Sequence, residues 1–350
     1  MVVNDIDIFN IDKTLVMSLI GISDLTKKKH TYTLIDKLNK QTKPPQFIAD
    51  LSIHRLSKKE TVWYKIIQET SSYATTLPVY YISNKKGVID RNELLECSIE
   101  QMEEGVKIIT IHPTPNKELY ELSKPRLVPC TSRGGNIVLQ DSINTNQQNA
   151  YLDILPKLIK YAKINNTIIS IGASFRSANI FDSLDLVQQK EIELQLELAN
   201  YIKQNGVSVI IETPGHASPK NILKIAKIFN KYDFPLMPLG PIITDTGIGM
   251  DHITASIGAT LFGINSNVKI IAAVTSEEHT GNVPSDSSII YALKTAQLTA
   301  HIIDMYKFND YSEDYIISKN RAVNKTCIYE DSHEGCSRCD RLCPLTNKSW

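Results

Sequence analysis

The hydrophobic pattern of this chain alternates between short, nearly continuous apolar runs and longer segments with helical spacing. Eight of the short runs are rich in Ile and Val, as in parallel strands that are buried on both faces. They cover residues 15–21, 47–52, 77–82, 106–112, 167–172, 207–213, 234–240 and 268–275. The amphipathic segments that predict helices cover residues 91–104, 150–164, 185–204, 218–231 and 285–306.

Eight strands that alternate with helices predict an α/β protein whose fold is a (β/α)8 TIM-type barrel. An open, doubly wound sheet is the alternative, but no Gly-x-Gly-x-x-Gly follows any of the strands to support a dinucleotide site. We expect the catalytic barrel to span residues 1–306, and a polar tail to span residues 307–350.

The overall charge and the cysteine content limit the classes of function. The chain has 38 basic and 38 acidic side chains, so its net charge of zero gives no long-range attraction to nucleic acid or membrane. No apolar run is long enough to span a bilayer, and the first residues lack the pattern of a signal peptide. Three of the six cysteines lie together near the end, which fits a reducing compartment. We therefore expect a cytoplasmic protein.

The cysteines near the C-terminus carry the most specific chemical signal. Cys336, Cys339 and Cys343 lie within eight positions and are followed by Pro344. Such a loop can give three thiolates to one [4Fe-4S] cluster and leave the fourth iron open for a small molecule. The alternatives are a zinc knuckle that recruits a fourth ligand such as His333, and a disulfide with one spare thiol.

Polar side chains collect where the predicted strands end. In a barrel of this kind, the residues that bind and transform a ligand lie at the C-terminal ends of the strands. The residues concerned are Asp50, Ser52, Tyr80, His112, Arg176, Glu212, His216, Asp245, Glu277, Glu278 and His279. A single Asp or Ser in a loop is commonly a helix cap, but a ring of such residues predicts a site.

Two histidines in this ring suit a metal ion. His216 and His279 follow strands six and eight, and they can converge on one divalent metal with water or substrate completing the coordination. A lone loop histidine is more often an ordinary surface residue, but a Pro-Gly turn before His216 and two carboxylates before His279 favour a site. Glu212 is a candidate proton acceptor or substrate anchor. Glu278 is a candidate base, or a residue that hydrogen-bonds a metal ligand.

Two glycine-bearing turns precede predicted helices. Residues 132–136 read Ser-Arg-Gly-Gly-Asn, and the free N–H groups of a helix start beside an arginine suit a phosphate. A Gly-Gly turn by itself needs no ligand, so this signal is weak. Asp251 opens a helix after a Gly-Ile-Gly loop, where it is either the N-cap of that helix or a catalytic residue.

Together these segments resemble the phosphomethylpyrimidine synthase family of thiamin biosynthesis, which consists of atypical radical S-adenosylmethionine enzymes. The specific parts are Glu212-Thr-Pro-Gly-His216, Val-Thr-Ser-Glu-Glu278-His279-Thr-Gly and the terminal cysteines. Further similar segments are Leu-Pro-Val-Tyr80, Ile-His112, Ser132-Arg-Gly-Gly135, Leu-Gly-Pro-Ile-Ile-Thr-Asp245 and Met-Asp251-His-Ile-Thr-Ala-Ser-Ile-Gly. The resemblance runs through most of the chain in family order.

The resemblance implies a radical mechanism and a set of partners. A [4Fe-4S] cluster on Cys336, Cys339 and Cys343 would bind S-adenosylmethionine and yield a 5′-deoxyadenosyl radical, which rearranges aminoimidazole ribotide to hydroxymethylpyrimidine phosphate. The family also implies zinc or iron(II) at His216 and His279, an electron donor such as flavodoxin or ferredoxin, and a homodimer. The residues that would bind the nucleotide are Tyr80, His112, Ser132, Arg133, Gly134, Gly135, Arg176 and Glu212.

The sequence departs from the family pattern in its substrate contacts. The cysteine spacing is two then three residues, where the family has two then four. Ala173 stands where the family has an aspartate that binds substrate, Ala49 where it has a methionine, and Met237 where it has a tyrosine. The metal and cluster residues are retained, so we expect radical chemistry with the substrate or product left open.

Other functions are compatible with this pattern. One is 5-hydroxybenzimidazole synthase, which makes the lower ligand of cobamides from the same ribotide, and another is a diverged paralogue that acts on a different nucleotide. A non-enzymatic alternative is a zinc-binding or redox-sensing protein, and a further one is an enzyme inactivated by its short cysteine loop.

Overall fold

The structure is a computed structural model, and it describes residues 13–54, 56–82, 87–327, 338–339 and 342–346. The strands are β1 (Leu15–Ile20), β2 (Phe47–Asp50), β3 (Tyr73–Thr76), β4 (Ile108–Ile111), β5 (Ile168–Ile171), β6 (Val209–Glu212), β7 (Leu236–Met237) and β8 (Ile270–Ala273). The helices are α1 (Lys28–Asn39), α2 (Val62–Glu69), α3 (Arg91–Glu103), α4 (Lys117–Ser123), α5 (Arg133–Thr145), α6 (Ala150–Ile164), α7 (Leu186–Gln204), α8 (Pro219–Phe229), α9 (Asp251–Gly263), α10 (Asp286–Phe308) and α11 (Ser312–Val323).

The eight strands form one parallel sheet in the order β7-β6-β5-β4-β3-β2-β1-β8. Between β1 and β2, for example, Ile20 pairs with Asp50. The sheet comes together between β7 and β8, where the Leu236 N–H donates to Asn267 O at 2.9 Å and the Lys269 N–H donates to Leu236 O at 3.0 Å. The predicted fold is therefore confirmed as a nearly closed, eight-stranded parallel barrel of the TIM type.

The interior of the barrel changes from apolar to polar along three neighbouring strands. Its apolar filling comes from alternate strand residues, namely Leu15, Met17, Phe47, Ala49, Ile108, Ile168, Ile210, Met237 and Ile270. The next inward positions on β4, β5 and β6 are Thr110, Ser170 and Glu212, all of them buried. The barrel therefore presents a polar wall at its carboxyl end on the β4–β6 side.

Several helices begin at polar residues that cap their first N–H groups. The carboxylate of Asp90 accepts from the N–H groups of Asn92 and Glu93 at the start of α3. Asn149 caps α6 and Asp185 caps α7 in the same way. Because these caps are local in sequence, the predicted helices 91–104, 150–164 and 185–204 agree closely with α3, α6 and α7.

The prediction of the third strand at residues 77–82 is wrong. The strand is β3, which lies upstream at Tyr73–Thr76, and Pro78–Tyr80 instead forms a 3-10 turn. Pro78 has no N–H to donate to a sheet, so the apolar run from Leu77 leaves the barrel at this point. Tyr80 consequently lies in the loop that follows β3 rather than within the strand.

The region after residue 306 contains helical structure that the sequence pattern did not predict. α10 continues to Phe308. α11 spans Ser312–Val323 and has no buried residue, whereas the sequence-based prediction of helices relied on a buried apolar face. Contacts divide the chain into two compact units, residues 1–303 and 304–350. Across the described ranges, none of the helices combines the length and apolar character needed to cross a membrane.

Asp50 belongs to the predicted ring of strand-end residues, but its contacts are structural. Its Oδ1 accepts from the Ser52 N–H and its Oδ2 from the Trp63 N–H, each at 2.9 Å. The side chain is fully buried, and burial raises the pKa of this carboxyl group. Asp50 thereby ties the end of β2 to the first turn of α2.

We expect Asp50→Asn to lower the free energy of unfolding by about 1–3 kcal/mol, because the amide nitrogen would face one of two N–H donors that need an acceptor. Urea denaturation followed by circular dichroism measures the change. Asp36→Asn, on the exposed side of α1, is the control and should change stability by less than about 0.5 kcal/mol. Equal stability of the two variants would contradict the structural role.

Candidate active site

Glu212 is the central carboxylate of the polar wall. Its Oε1 accepts from Thr110 Oγ1 at 3.2 Å and from Ser170 Oγ at 3.4 Å, which are the inward residues of β4 and of the adjacent strand β5. Burial raises the pKa of Glu212, and the nearby charge of Arg176 opposes that increase. A carboxyl group with a raised pKa beside a cation is suited to exchange a proton with a bound molecule.

Arg176 lies in the loop after β5, and its positive charge affects the pKa values of several predicted site residues. Its Nη1 donates to Ala173 O at 2.7 Å. Its positive charge lowers the pKa of His112 and acts against the rise that burial causes in the pKa of Tyr80. The guanidinium of Arg133 lies 5.3 Å from the centroid of the Tyr80 ring. Two arginines and a tyrosine therefore share the wall with Glu212.

His112 and Ser132 connect β4 to the first turn of α5. Ser132 is the N-cap of α5, as its Oγ accepts from the Gly135 N–H at 3.1 Å, and the same Oγ lies 2.8 Å from His112 Nε2. The ring of His112 is 1% exposed, and burial lowers its pKa to about 3, so it is neutral at physiological pH. Its buried Nδ1 has no hydrogen-bond partner among the described residues. Such an atom favours a polar ligand or water beside it.

Two glycines form the slot that holds the His112 ring. A Cβ atom on Gly134 would lie 2.5 Å from His112 Cε1, and one on Gly172 would lie 2.6 Å from His112 Nε2. Both distances are far shorter than a normal contact. The predicted Gly-Gly turn of residues 134–135 thus has a packing role in addition to any ligand role.

His216 and His279 come together as predicted. Their Nε2 atoms lie 3.1 Å apart, and their rings meet edge to face. The Nδ1 of His216 is 2.7 Å from Asp245 Oδ1, and the Nδ1 of His279 is 2.7 Å from Asp251 Oδ1. Because each Nδ1–H donates to a carboxylate, both Nε2 lone pairs point at each other.

This geometry fits a divalent cation. Two facing lone pairs repel unless a proton or a cation lies between them, and carboxylates behind histidines are the usual support of metal ligands. Burial lowers the pKa of His216, which favours the neutral, metal-binding form of the imidazole. In the described ranges no group of three or more His, Cys, Asp or Glu side chains converges on one point. Water or substrate would therefore supply the remaining ligands.

Of the two roles that the sequence left open for Asp251, the structure does not support the N-cap of α9. Met250 precedes α9 as its N-cap, whereas the Asp251 carboxylate is buried and bonded to the ring and to the backbone N–H of His279. The cap interpretation is wrong because the histidine competes for that carboxylate across a long sequence distance. Asp245, which the sequence placed only at a strand end, likewise supports His216.

Other predicted residues lie away from these contacts or outside the described ranges. The side chain of Glu278 makes no hydrogen bond or ion pair with a described residue, whereas the carboxylate of Glu277 accepts from Ser276 and Ser288. Cys336 lies outside the described residues. Cys339 is exposed and Cys343 partly buried, and the Leu342 N–H donates to Cys339 O at 3.0 Å.

Three buried polar residues of the site were not anticipated. Glu191 and Gln195 on α7 and Asn149 before α6 hydrogen-bond the backbone where strands β4, β5 and β6 end. The signal was present in the sequence, since polar residues at helical spacing on the buried side of α7 are unusual. The fold was needed to show that the face of α7 with Gln188, Glu191 and Gln195 is buried.

Comparison with known proteins gives a consistent family. The model of the radical SAM ThiC family matches residues 13–330. Phosphomethylpyrimidine synthase from Carboxydothermus hydrogenoformans is 29% identical over 314 residues, covering 80% of this chain and 72% of that protein. The same enzyme from Clostridium novyi is 27% identical over an alignment of 368 residues, covering 96% and 82%.

A solved dihydropteroate synthase from Coxiella burnetii matches 83% of this chain and 95% of its own, at 10% identity and a TM-score of 0.45. A similarity of that size supports no inference about activity.

We expect Gly172→Ala to lower the free energy of unfolding by about 1–3 kcal/mol, because its methyl group would overlap the His112 ring. In a His112→Ala background the same substitution should cost much less, since the ring is gone. Urea denaturation of the four proteins gives the coupling energy, expected to be about 1 kcal/mol or more. The same loss in both backgrounds would contradict the proposed packing.

Proposed function

The chain belongs to the radical SAM ThiC family and is an enzyme of that family, and from this premise we propose that it rearranges aminoimidazole ribotide to the hydroxymethylpyrimidine phosphate of thiamin. The observation that carries the proposal is the polar wall around Glu212 beside the paired imidazoles of His216 and His279. A wall with two arginines and a neutral histidine suits a phosphorylated, nitrogen-rich substrate.

The phosphate of the ribotide would bind between Arg133 and Arg176 at the N-terminus of α5. The first N–H groups of a helix favour an anion. Tyr80 would lie beside the ribose, next to Arg133. His112 would offer its unpaired Nδ1 to the ligand, and its low pKa keeps that contact neutral.

The family implies an iron–sulfur cluster and S-adenosylmethionine. We propose that Cys336, Cys339 and Cys343 hold the cluster, since three thiolates suit an iron cube with one open iron. When bound, the cluster supplies the electron that cleaves S-adenosylmethionine to the 5′-deoxyadenosyl radical. Glu212 would accept or return a proton on the substrate, because its raised pKa brings it closer to neutrality.

His216 and His279 would bind zinc or iron(II) next to S-adenosylmethionine. Asp245 and Asp251 hold the two imidazoles with Nε2 facing the metal position. The Glu278 carboxylate, which has no partner among the described residues, would act as a base or contact a metal-bound water. We also propose a cytoplasmic homodimer that takes its electron from flavodoxin or ferredoxin.

The second candidate function is the conversion of the same ribotide to 5-hydroxybenzimidazole. Ala49 and Met237 both belong to the apolar interior of the barrel, and the buried Ala173 offers only a methyl group beside Arg176. Ala173 and Met237 replace an aspartate and a tyrosine of the family pattern and so remove polar contacts that the resemblance associates with the pyrimidine reaction, whereas Ala49 replaces a methionine. The same ribotide could then follow a different outcome, or another nucleotide could bind.

We expect reconstituted, dithionite-reduced protein to form 5′-deoxyadenosine from S-adenosylmethionine when aminoimidazole ribotide is present under anaerobic conditions. Mass spectrometry of the product separates the pyrimidine phosphate from the benzimidazole. Cys339→Ala should lose cluster iron and all turnover, whereas Cys327→Ala, outside the loop, should keep both. Turnover that ignores the ribotide would redirect the assignment to another nucleotide, and no cleavage on an intact cluster would refute the radical chemistry.

We expect His216→Ala and His279→Ala each to lose one bound metal ion per chain while keeping the cluster. Inductively coupled plasma mass spectrometry counts the metals. Asp245→Asn and Asp251→Asn should weaken metal affinity by about 10–100-fold, because the histidines lose the group that orients them. His30→Ala, on the exposed side of α1, is the control. Full metal content in both histidine variants would refute the metal site.

A further inference from the structure

One face of α7 carries polar residues in a buried position. Gln188, Glu191 and Gln195 recur at helical spacing, and each is at most 2% exposed. Polar side chains stay on a buried helix face only when the groups around them complete their hydrogen bonds. The groups that Glu191 and Gln195 contact are backbone atoms at the ends of β5 and β6.

Glu191 holds the loop that follows β5. Its Oε1 accepts from Thr114 Oγ1 and from the Ser174 N–H, and its Oε2 accepts from the Phe175 N–H, all at 2.7 Å. Burial raises the pKa of Glu191 to about 7 despite these three donors. Because one carboxylate accepts from two successive N–H groups, the backbone of residues 174–175 is held in one conformation.

Gln195 lies one helical turn further along α7 and contacts two strand ends. Its Nε2 donates to Ile171 O, Gly172 O and Glu212 O at 3.3, 3.2 and 3.1 Å. The first two carbonyls end β5, and the third belongs to the catalytic candidate on β6. One amide group therefore fixes the spacing between β5 and β6 at the level of the polar wall.

These contacts determine where the two charged groups of the wall lie. Arg176 directly follows the residues held by Glu191, and its guanidinium is further tied to Ala173 O within the same loop. Glu212 has its carbonyl held by Gln195 and its carboxylate by Thr110 and Ser170. Neither Glu191 nor Gln195 has a hydrogen bond to Arg176 or Glu212 side-chain atoms in the described residues, so their hydrogen bonds act on a ligand through the backbone. Besides the burial that raises the pKa of Glu191, the charge of Arg176 acts to lower it, so Glu191 also contacts Arg176 electrostatically.

We infer that Glu191 and Gln195 are positioning residues that set the separation of Arg176 and Glu212 for the substrate, and thereby determine ribotide affinity. This inference rests on the proposed function for the identity of the ligand. A displacement of about 1 Å in such a group can cost up to about a hundredfold in catalytic efficiency. His279 follows β8, but His216 lies four residues after Glu212 and its N–H donates to Ser177 O at 2.9 Å, so the metal content of each variant is measured beside its KM.

The test compares Glu191→Gln and Gln195→Met with a matched structural control. In Glu191→Gln the amide nitrogen would face Ser174 or Phe175 N–H, so at least one donor loses its acceptor. Gln195→Met keeps the volume and removes the donor. Asp141→Asn is the control, because Asp141 is equally buried and accepts from Ile89 N–H and Arg91 Nη1 at 2.8 and 2.9 Å, away from the wall.

We expect KM for aminoimidazole ribotide to rise between about tenfold and about a hundredfold in both α7 variants. The kcat should fall as well in Gln195→Met, because Gln195 holds the strand end that carries Glu212, the proposed proton acceptor, whereas the metal content should equal that of wild type. Amide hydrogen exchange at residues 173–176 should accelerate in Glu191→Gln. Asp141→Asn should lose comparable thermal stability while keeping KM. An α7 variant that loses stability and keeps KM would overturn the inference.

A failure of the proposed function gives a different result. If wild-type protein neither turns over nor binds the ribotide, the test uses inorganic phosphate, titrated calorimetrically. Arg176→Ala and Glu191→Gln should then weaken phosphate binding equally, and the double variant should be no weaker than either. Additive losses, unchanged binding in Glu191→Gln, or a wild-type protein that binds no phosphate would each refute the positioning role itself.

Discussion

The arrangement of the site depends on how the barrel satisfies its backbone groups where the parallel strands end. Beyond the last ladder bond, carbonyl and N–H groups are buried without sheet partners, and each is costly unless a side chain pairs with it. Buried carboxylate and amide side chains fill this need. They are Asp50 on β2, Asn149 for the β4 end, Glu191 for the β5 loop and Gln195 for β5 and β6. The chemistry of the rim follows from this framework.

Two different arrangements of charged and polar groups lie side by side at the carboxyl ends of the strands. On the β4–β6 side, burial raises the pKa of Glu212 while Arg176 opposes it, so that cation and carboxyl group remain close without a direct bond among the described contacts. On the β6–β8 side, two carboxylates turn two imidazoles so that their Nε2 lone pairs face each other. The first arrangement suits a polar anionic substrate, and the second suits a cation.

The family membership and the altered strand ends together define the functional question. The paired histidines and the polar wall keep the groups that radical chemistry on a phosphorylated substrate would need. Ala49 and Met237 place apolar groups at inward positions of β2 and β7, and Ala173 adds a buried methyl group in the loop after β5. An interior that is polar on one side and apolar on the other constrains how a ligand can orient, because unpaired polar atoms would be excluded from the apolar side.

The sequence by itself determined the barrel and the approximate bounds of five of the eleven described helices (α3, α6, α7, α8 and α10), and it placed His216 near His279. Apolar strand runs and N-caps are local signals, and parallel strands bring their carboxyl ends to one face regardless of detail. Tertiary structure alone decided the rest. The third strand ends before Pro78, which lies in a 3-10 turn. The Asp251 carboxylate bonds His279 instead of capping α9, and the packing of α7 places Glu191 against the loop after β5. Each outcome is a competition between local and distant hydrogen-bond partners, which only packing resolves.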